Sequence, residues 1–322
     1  MVQNPRSPLV FSFAAPPDPG VAEAIASVPG VEVVVHPGLR GPELADAARG
    51  ADVLIVRSWQ RATREVLAAG AGRLAAVVQA SAGLDNIDHD AAAELGVRVV
   101  GVDPGNATSV AELTLLSLLA LFRNVRGYWA GGGVAAWPDR ETLRDREIRR
   151  KTLGLVGLGR VGSRVARRAA AFEMRVLAYD PYLADADFAA RGAERIRSLD
   201  EMLPLLDALS LHCPLTDETR GMIDARRLDL LPRGAVVVNT ARGAVLDLPA
   251  VVRALDAGRL HGAAIDVWPE EPPPAGAAAP RHPKILPTPH LAGHTAESHR
   301  ERAENMIAAL GRLAAERRGT GR

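Results

Sequence analysis

Short apolar runs and helix-forming stretches take turns along almost the whole chain. Before residue 105 the runs LVFSF, VEVVV, DVLIV, AAVVQ and VRVV are separated by Ala/Leu/Glu-rich segments. After residue 150 the alternation resumes with RVLAY, DALSLH, AVVVNT and GAAIDV. Continuous apolar runs of this kind suit strands buried on both faces of a parallel sheet, with helices packed on either side. The pattern predicts an α/β fold with two Rossmann-like domains, each a doubly wound parallel sheet.

The stretch TLGLVGLGRVGSRVARRAAAFEMRVLAYDPY, residues 152–182, adds chemistry to that pattern. An apolar run ends in Gly157, Gly159 and Gly162, an Ala/Arg-rich helix follows, and a second run ends at Asp180. Gly157 permits a tight turn, Gly159 lets a pyrophosphate approach the backbone, and Gly162 lets the helix pack closely on its strand. The helix N-terminus presents unpaired N–H groups to phosphates. Asp180 accepts hydrogen bonds from ribose hydroxyls and repels a 2′-phosphate, so the cofactor expected is NAD rather than NADP. The glycines alone are weak evidence; strand, loop, helix, strand and terminal acid in order form a complete dinucleotide-binding unit.

Because this unit lies in mid-chain, a complete α/β unit precedes it. The segment 295–316 has helical periodicity with an apolar face and is expected to pack back on that first unit. Hinges fall near 102–105 and 289–292, where Pro and Gly concentrate. The expected organisation is a discontinuous substrate-binding domain, 1–103 plus 291–322, around an NAD-binding domain, 104–290, with the active site in the cleft between them. The run EEPPPAGAAAPRHP, residues 270–283, reads as a surface loop.

Composition narrows the partners. With 322 residues and 48% apolar content the chain can bury the cores of two domains. The 39 basic and 38 acidic side chains nearly cancel, which gives no electrostatic case for nucleic acid or a membrane surface. The one cysteine, Cys213, sits in an apolar run and reads as a buried thiol. No Cys/His spacing resembles a metal site. MVQNPRSPLVFSF lacks the basic start and cleavage site of a signal peptide, and the apolar helix at 110–122 is short of the ~20 residues that cross a bilayer. A soluble cytoplasmic protein is expected.

Three further segments end predicted strands of the cofactor domain, where open α/β sheets bind ligands. NTARGAV carries Arg242, AIDVWPEEP carries Asp266 and Glu271, and TPHLAGHT carries His290. A hydride-transfer enzyme acting on a hydroxyl or carbonyl needs a proton donor or acceptor, a group to hold its partner proton, and a cation for an anionic substrate. A histidine with an ordinary pKa of ~6.5 exchanges protons near neutrality, a carboxylate neighbour favours its charged form, and an arginine fork grips a 2-oxoacid carboxylate.

In these motifs, together with SAGLDNID, GNATSVAE, YDPY and HCPLTDETRGMI, the chain resembles the D-isomer-specific 2-hydroxyacid dehydrogenases from about residue 52 to 306. The resemblance implies Arg242, Glu271 and His290 as catalytic residues, with Arg242 binding the substrate carboxylate and Glu271 partnering His290. It places Asp266 on the nicotinamide side and the backbone around Ser81, Ala82 and Gly83 on the carboxylate. Arg160 and Val161 in the glycine loop, and Cys213, Pro214, Thr240, Ala241 and His290 at strand ends, complete the expected cofactor contacts. Arg57, with Arg61, supplies a candidate positive wall for a phosphorylated substrate. The resemblance points to phosphoglycerate dehydrogenases and hydroxypyruvate or glyoxylate reductases, with no C-terminal regulatory domain expected, and implies a homodimer.

Two positions depart from the family pattern. Ser81 stands where glycine is common, and Gln79 replaces a nearby arginine, which removes a charge from the carboxylate loop. His294 reads as a cap or exposed residue. His36, His89, His261, His282 and His299 read as surface or loop residues, and His212 as a strand-end residue on the adenine side. Competing functions are a dinucleotide-sensing interaction protein of the corepressor type and a formate dehydrogenase. Glu271 argues against the latter, since formate has no hydroxyl proton to move.

Overall fold

The computed structural model describes residues 8–81, 83–130, 137 and 140–319. It divides into two compact units, residues 1–106 with 295–322 and residues 107–294.

Unit 1 holds a sheet of five parallel strands: β1 (Leu9–Phe13), β2 (Val31–Val35), β3 (Val53–Val56), β4 (Ala76–Ala80) and β5 (Arg98–Val102), in the order β2-β1-β3-β4-β5. The central strands are apolar throughout because successive residues feed opposite cores. Leu54, Val56 and Val77 join the cluster with Leu44, Val66 and Leu67, while Val53, Ile55 and Val78 join Phe11, Phe13 and Ile25. The helix Ala296–Gly319 completes the second cluster with Met306, Leu310 and Leu313, which is why the C-terminal segment belongs to this unit. Order reverses between β1 and β3, so their carboxyl ends form a switch point where such sheets bind ligands.

Unit 2 holds seven parallel strands: β6 (Thr152–Val156), β7 (Arg175–Tyr179), β8 (Glu194–Arg195), β9 (Ala208–Leu211), β10 (Ala235–Asn239), β11 (Leu260–Ile265) and β12 (Ile285–Pro287). Their order is β12-β11-β10-β9-β6-β7-β8. On one face the helix Ala107–Phe122 packs Ala111, Leu115 and Leu118 against Val165, Ala166 and Ala169 of the helix Arg160–Ala171. The other face buries Leu209, Leu211, Val237 and Ile265 among Val251, Leu255 and Trp268. The switch point lies between β6 and β9, beside the glycine loop. Residues 270–283 form a largely irregular segment with one 3-10 turn, Ala279–Arg281. His299, read as a surface or loop residue, lies within the helix Ala296–Gly319 with its side chain 40% exposed, and its Nδ1 is 2.9 Å from Asp18 Oδ1.

Candidate active site

All the candidate cofactor and acid/base residues of unit 2 stand at or just beyond the carboxyl ends of β6, β7, β9, β10, β11 and β12. The glycines divide their work as backbone geometry requires. Gly157 has φ +92°, and a β-carbon there would also meet the His212 carbonyl oxygen at 2.8 Å. Gly162 crosses the Gly157 carbonyl so closely that a β-carbon would lie 2.2 Å from its oxygen. Gly159 has nothing within 4 Å of its β-carbon position, so the space before the helix is open. Arg160 begins that helix, with Val161 next.

Asp180 directly follows β7 with its carboxylate already oriented: Leu158 N–H donates to Oδ2 at 2.9 Å and Tyr182 N–H to Oδ1 at 3.1 Å. A carboxylate has about four lone-pair sites, so acceptor capacity remains for a ribose diol. Open space at Gly159, the start of the helix at Arg160 and this anchored acid fit a dinucleotide.

At the end of β9, Cys213 is buried, which pushes its thiol up to about 11 and makes it inert at neutral pH. Burial likewise pushes His212 down to about 3, so it is neutral in the acid/base range. Pro214 opens a turn in which its carbonyl accepts Thr219 Oγ1 at 2.6 Å. At the end of β10, Thr240 Oγ1 lies 3.3 Å from Thr114 Oγ1. Buried Asn239 clips the loop that follows: its Oδ1 accepts Ala241 N–H at 3.0 Å and its Nδ2 donates to the Arg242 carbonyl at 3.0 Å. Arg242 Nη1 donates to the Ala241 carbonyl at 2.8 Å.

His290 and Glu271 meet directly. His290 Nδ1 is 2.7 Å from Glu271 Oε2, and Glu271 Oε1 accepts Trp268 N–H at 2.9 Å. The hydrogen bond to Glu271 raises the His290 pKa against the opposing effect of burial, and the Glu271 and Asp266 charges add to the rise. For Glu271, burial pushes the pKa up but is outweighed by the hydrogen bonds from His290 and Trp268 and by the His290 and Arg242 charges, so its carboxyl is held low. The field of Arg242 reaches both partners.

His290 adopts φ +54°, a left-handed conformation that costs a non-glycine residue about 1–3 kcal/mol. Buried Asp266 enforces it. Its carbonyl accepts His290 N–H at 2.8 Å, Oδ1 accepts Leu291 N–H at 2.9 Å and Thr288 Oγ1 at 2.6 Å, and Oδ2 accepts Ala292 N–H at 3.0 Å. Asp266 thus fixes the histidine loop whatever else it touches. Sequence reasoning missed Asn239, Thr288 and Gly243 as organisers of these loops; the only local signal was the glycine directly after Arg242.

In unit 1, Arg57 follows β3 and Ser81 follows β4, at the carboxyl end of one sheet. Ser81 Oγ accepts Gly83 N–H at 3.3 Å; Ala82 lies outside the described residues. Gln79 is fully buried, donating to the Gly83 carbonyl at 3.0 Å and accepting from Asn86 at 2.7 Å. It therefore shapes the loop from beneath. Arg57 Nη2 donates to the Pro16 carbonyl at 2.6 Å, and its Nη1 lies 3.9 Å from Asp18.

Residues 115–292 match the family described as D-isomer specific 2-hydroxyacid dehydrogenase, NAD binding domain. The chain belongs to the D-isomer specific 2-hydroxyacid dehydrogenases. Unit 2 is accordingly the family's NAD-binding domain, and NAD is the cofactor. The chain is 38% identical over 269 residues to D-3-phosphoglycerate dehydrogenase of Methanocaldococcus jannaschii, covering 84% of this chain and 51% of that one. It is 41% identical over 287 residues to the Mycobacterium bovis protein of the same name, covering 88% and 53%. It thus spans about half the length of the curated relatives it matches. Among solved structures, D-lactate dehydrogenase from Aquifex aeolicus, complexed with NAD and lactic acid, superposes with a TM-score of 0.84 at 28% identity, covering 95% of this chain and 96% of that one. Among the described residues no cluster of His, Cys, Asp and Glu is arranged to hold a metal, and no helix is long and apolar enough to cross a membrane.

Proposed function

We propose that the protein interconverts a small 2-oxoacid and its D-2-hydroxyacid, with His290 and Glu271 as the acid/base pair and Arg242 on the substrate carboxylate. The 2.7 Å contact between His290 Nδ1 and Glu271 Oε2 carries this reading. With Nδ1 committed to the carboxylate, Nε2 is the nitrogen left to exchange a proton with the substrate oxygen. In reduction, protonated His290 donates from Nε2 to the forming alkoxide while Glu271 stabilises the imidazolium. In oxidation, the neutral ring takes the hydroxyl proton. Arg242 holds the carboxylate and polarises the adjacent carbonyl, since its planar guanidinium fork can meet carboxylate oxygens bidentately.

Gly157, Gly159, Gly162 and the N–H groups of Arg160 and Val161 would hold the pyrophosphate, and Asp180 the adenosine ribose. Cys213, Pro214, Thr240 and Ala241 line the same strand ends, with Asp266 placing the histidine loop on the nicotinamide side. When bound, NAD supplies or accepts the hydride at C2 of the substrate. Ser81, Gly83 and Arg57 are assigned to the substrate's anionic end. A homodimer is part of the proposal; Leu116, 61% exposed on the helix Ala107–Phe122, supplies an apolar contact for it.

The test is NADH oxidation against glyoxylate, hydroxypyruvate, phosphohydroxypyruvate, pyruvate and bulkier 2-oxoacids, repeated with His290→Gln. A 2-oxoacid should be turned over by the wild type, and the variant should lose about 10² to 10⁴ in rate with NADH binding nearly intact. Absence of turnover across the panel, or a variant as fast as wild type, contradicts the assignment.

A further inference from the structure

We propose that unit 2 carries a second ligand site, for a compact multivalent oxyanion of the phosphate-ester or polycarboxylate class, at the end of its sheet opposite the dinucleotide loop. A cavity of about 390 Å³ opens there. Gly234, just before β10, Leu260, the first residue of β11, and Lys284, just before β12, contribute to its wall, so it lies at the amino ends of three neighbouring strands. Asn124 and Arg126 close it from beyond the end of the helix Ala107–Phe122. The volume falls in the range of small-molecule sites, about 300–1,000 Å³.

The charge is one-sided. Arg126, Arg233 and Lys284 line the cavity with His261, and no carboxylate is among its described lining residues. Arg146 stands behind it, donating from Nη1 to the Gly234 carbonyl at 2.9 Å with its guanidinium over the Phe122 ring. Arg126 Nη1 and Arg146 Nε and Nη2 are buried with no acceptor among the described residues. Buried charged donors without acceptors are costly, and an oxyanion is the ligand that satisfies several at once.

Two ordinary explanations fall short on magnitude. The C-terminus of the helix Ala107–Phe122 attracts cations, but a helix end is equivalent to roughly half a charge, against three formal charges in the lining, of which Lys284 donates from Nζ to the Leu255 carbonyl at 3.1 Å, and a fourth on Arg146, which the Asp207 charge reaches. The Phe122 carbonyl is moreover already taken by Arg146 N–H. Asp145, whose field reaches His261, accepts from Tyr128 Oη at 2.8 Å and lies 3.7 Å from Arg123, so its charge is matched without the cavity cations. The strands that start at this cavity end at Arg242, Asp266 and the loop of His290, yet the site involves none of those residues.

Isothermal titration of the full chain saturated with NADH, at ionic strength held constant with potassium chloride, tests the site with pyrophosphate and citrate as probes. One site per chain is expected, with a dissociation constant of about 1 mM or tighter for at least one probe. Binding to pyrophosphate alone marks phosphate esters as the class; binding to both marks multivalent oxyanions generally. The double variant Arg233→Gln, Lys284→Gln should weaken binding at least about tenfold while its probe-free turnover stays near wild type. Arg126→Gln serves as a second variant should the double variant melt early. No heat with either probe overturns the proposal, and so does undiminished affinity in the variants. A change of oligomeric mass in the variants, with no probe binding by wild type, assigns these cations to a contact between copies and overturns it as well.

Discussion

A β-carbon on Gly243 would lie 2.2 Å from the carbonyl carbon of Trp268, so the loop carrying Arg242 and the loop carrying Glu271 meet backbone to backbone. Only glycine permits that approach. Gly243→Ala should therefore part the two loops, at a cost of about 1–3 kcal/mol for the overpacking, and move Arg242 relative to the His290–Glu271 pair. The expected result is a lower melting temperature together with a loss in kcat/KM that exceeds any loss in NADH affinity. An alanine variant that melts and turns over like wild type would show the contact to be unimportant.

Asp180→Ala should weaken NADH more than NADPH. The substitution removes a ribose acceptor and a negative charge that repels a 2′-phosphate. It also releases the Leu158 and Tyr182 N–H groups that the carboxylate now holds. Fluorescence titration with both cofactors reads the preference ratio, which must fall. A wild type that already prefers NADPH would overturn this reading of Asp180.

Asp18 is the buried hub of a charged cluster in unit 1. Arg302 reaches it through Nε at 2.7 Å and Nη2 at 2.6 Å, and His299 Nδ1 lies 2.9 Å away. Burial alone would raise its pKa, but the hydrogen bonds and charge of Arg302, with His299 and Arg57, hold it down to about 2. Because the folded value is depressed, the stabilisation is present above the unfolded pKa near 4 and is lost as pH falls through about 2. It is on the order of 2 kcal/mol. Urea unfolding should show Asp18→Asn less stable at neutral pH, with the gap to wild type narrowing as pH drops from about 5 toward 2. A gap constant over that range would mean that the Asp18 charge does not contribute.

The sequence revealed the strands wherever burial on both faces left a continuous apolar run, as in LVFSF and RVLAY. It concealed β8, only Glu194–Arg195, and β12, Ile285–Pro287, because edge strands pair on one side and tolerate charge and proline. Gly157, Gly162 and Asp180 were legible because dinucleotide binding constrains a local spacing. Asp18 with His299 was not, since they lie 281 residues apart and no local pattern joins them. Gln79 shows the limit from the other side: as a letter it is a missing charge, whereas in the fold it is a buried amide whose hydrogen bonds shape the Gly83 loop. The acid/base motifs suggested roles for His290 and Glu271, but their shared hydrogen bond and the grip of Asp266 on the histidine loop arise only in the fold, where residues 19 and more positions apart meet.

The pairing of His290 with Glu271 is tested most directly by the pH dependence of kcat/KM for 2-oxoacid reduction, measured for wild type and Glu271→Gln. Reduction needs the protonated imidazole, so the rate must fall as pH rises through the His290 pKa. Glu271 raises that pKa, through its hydrogen bond first and its charge as well. With glutamine in its place, burial and the Arg242 charge remain to lower it. The descending limb of the variant should move to lower pH, with the largest loss of rate above neutrality. Profiles that superimpose after scaling would contradict it.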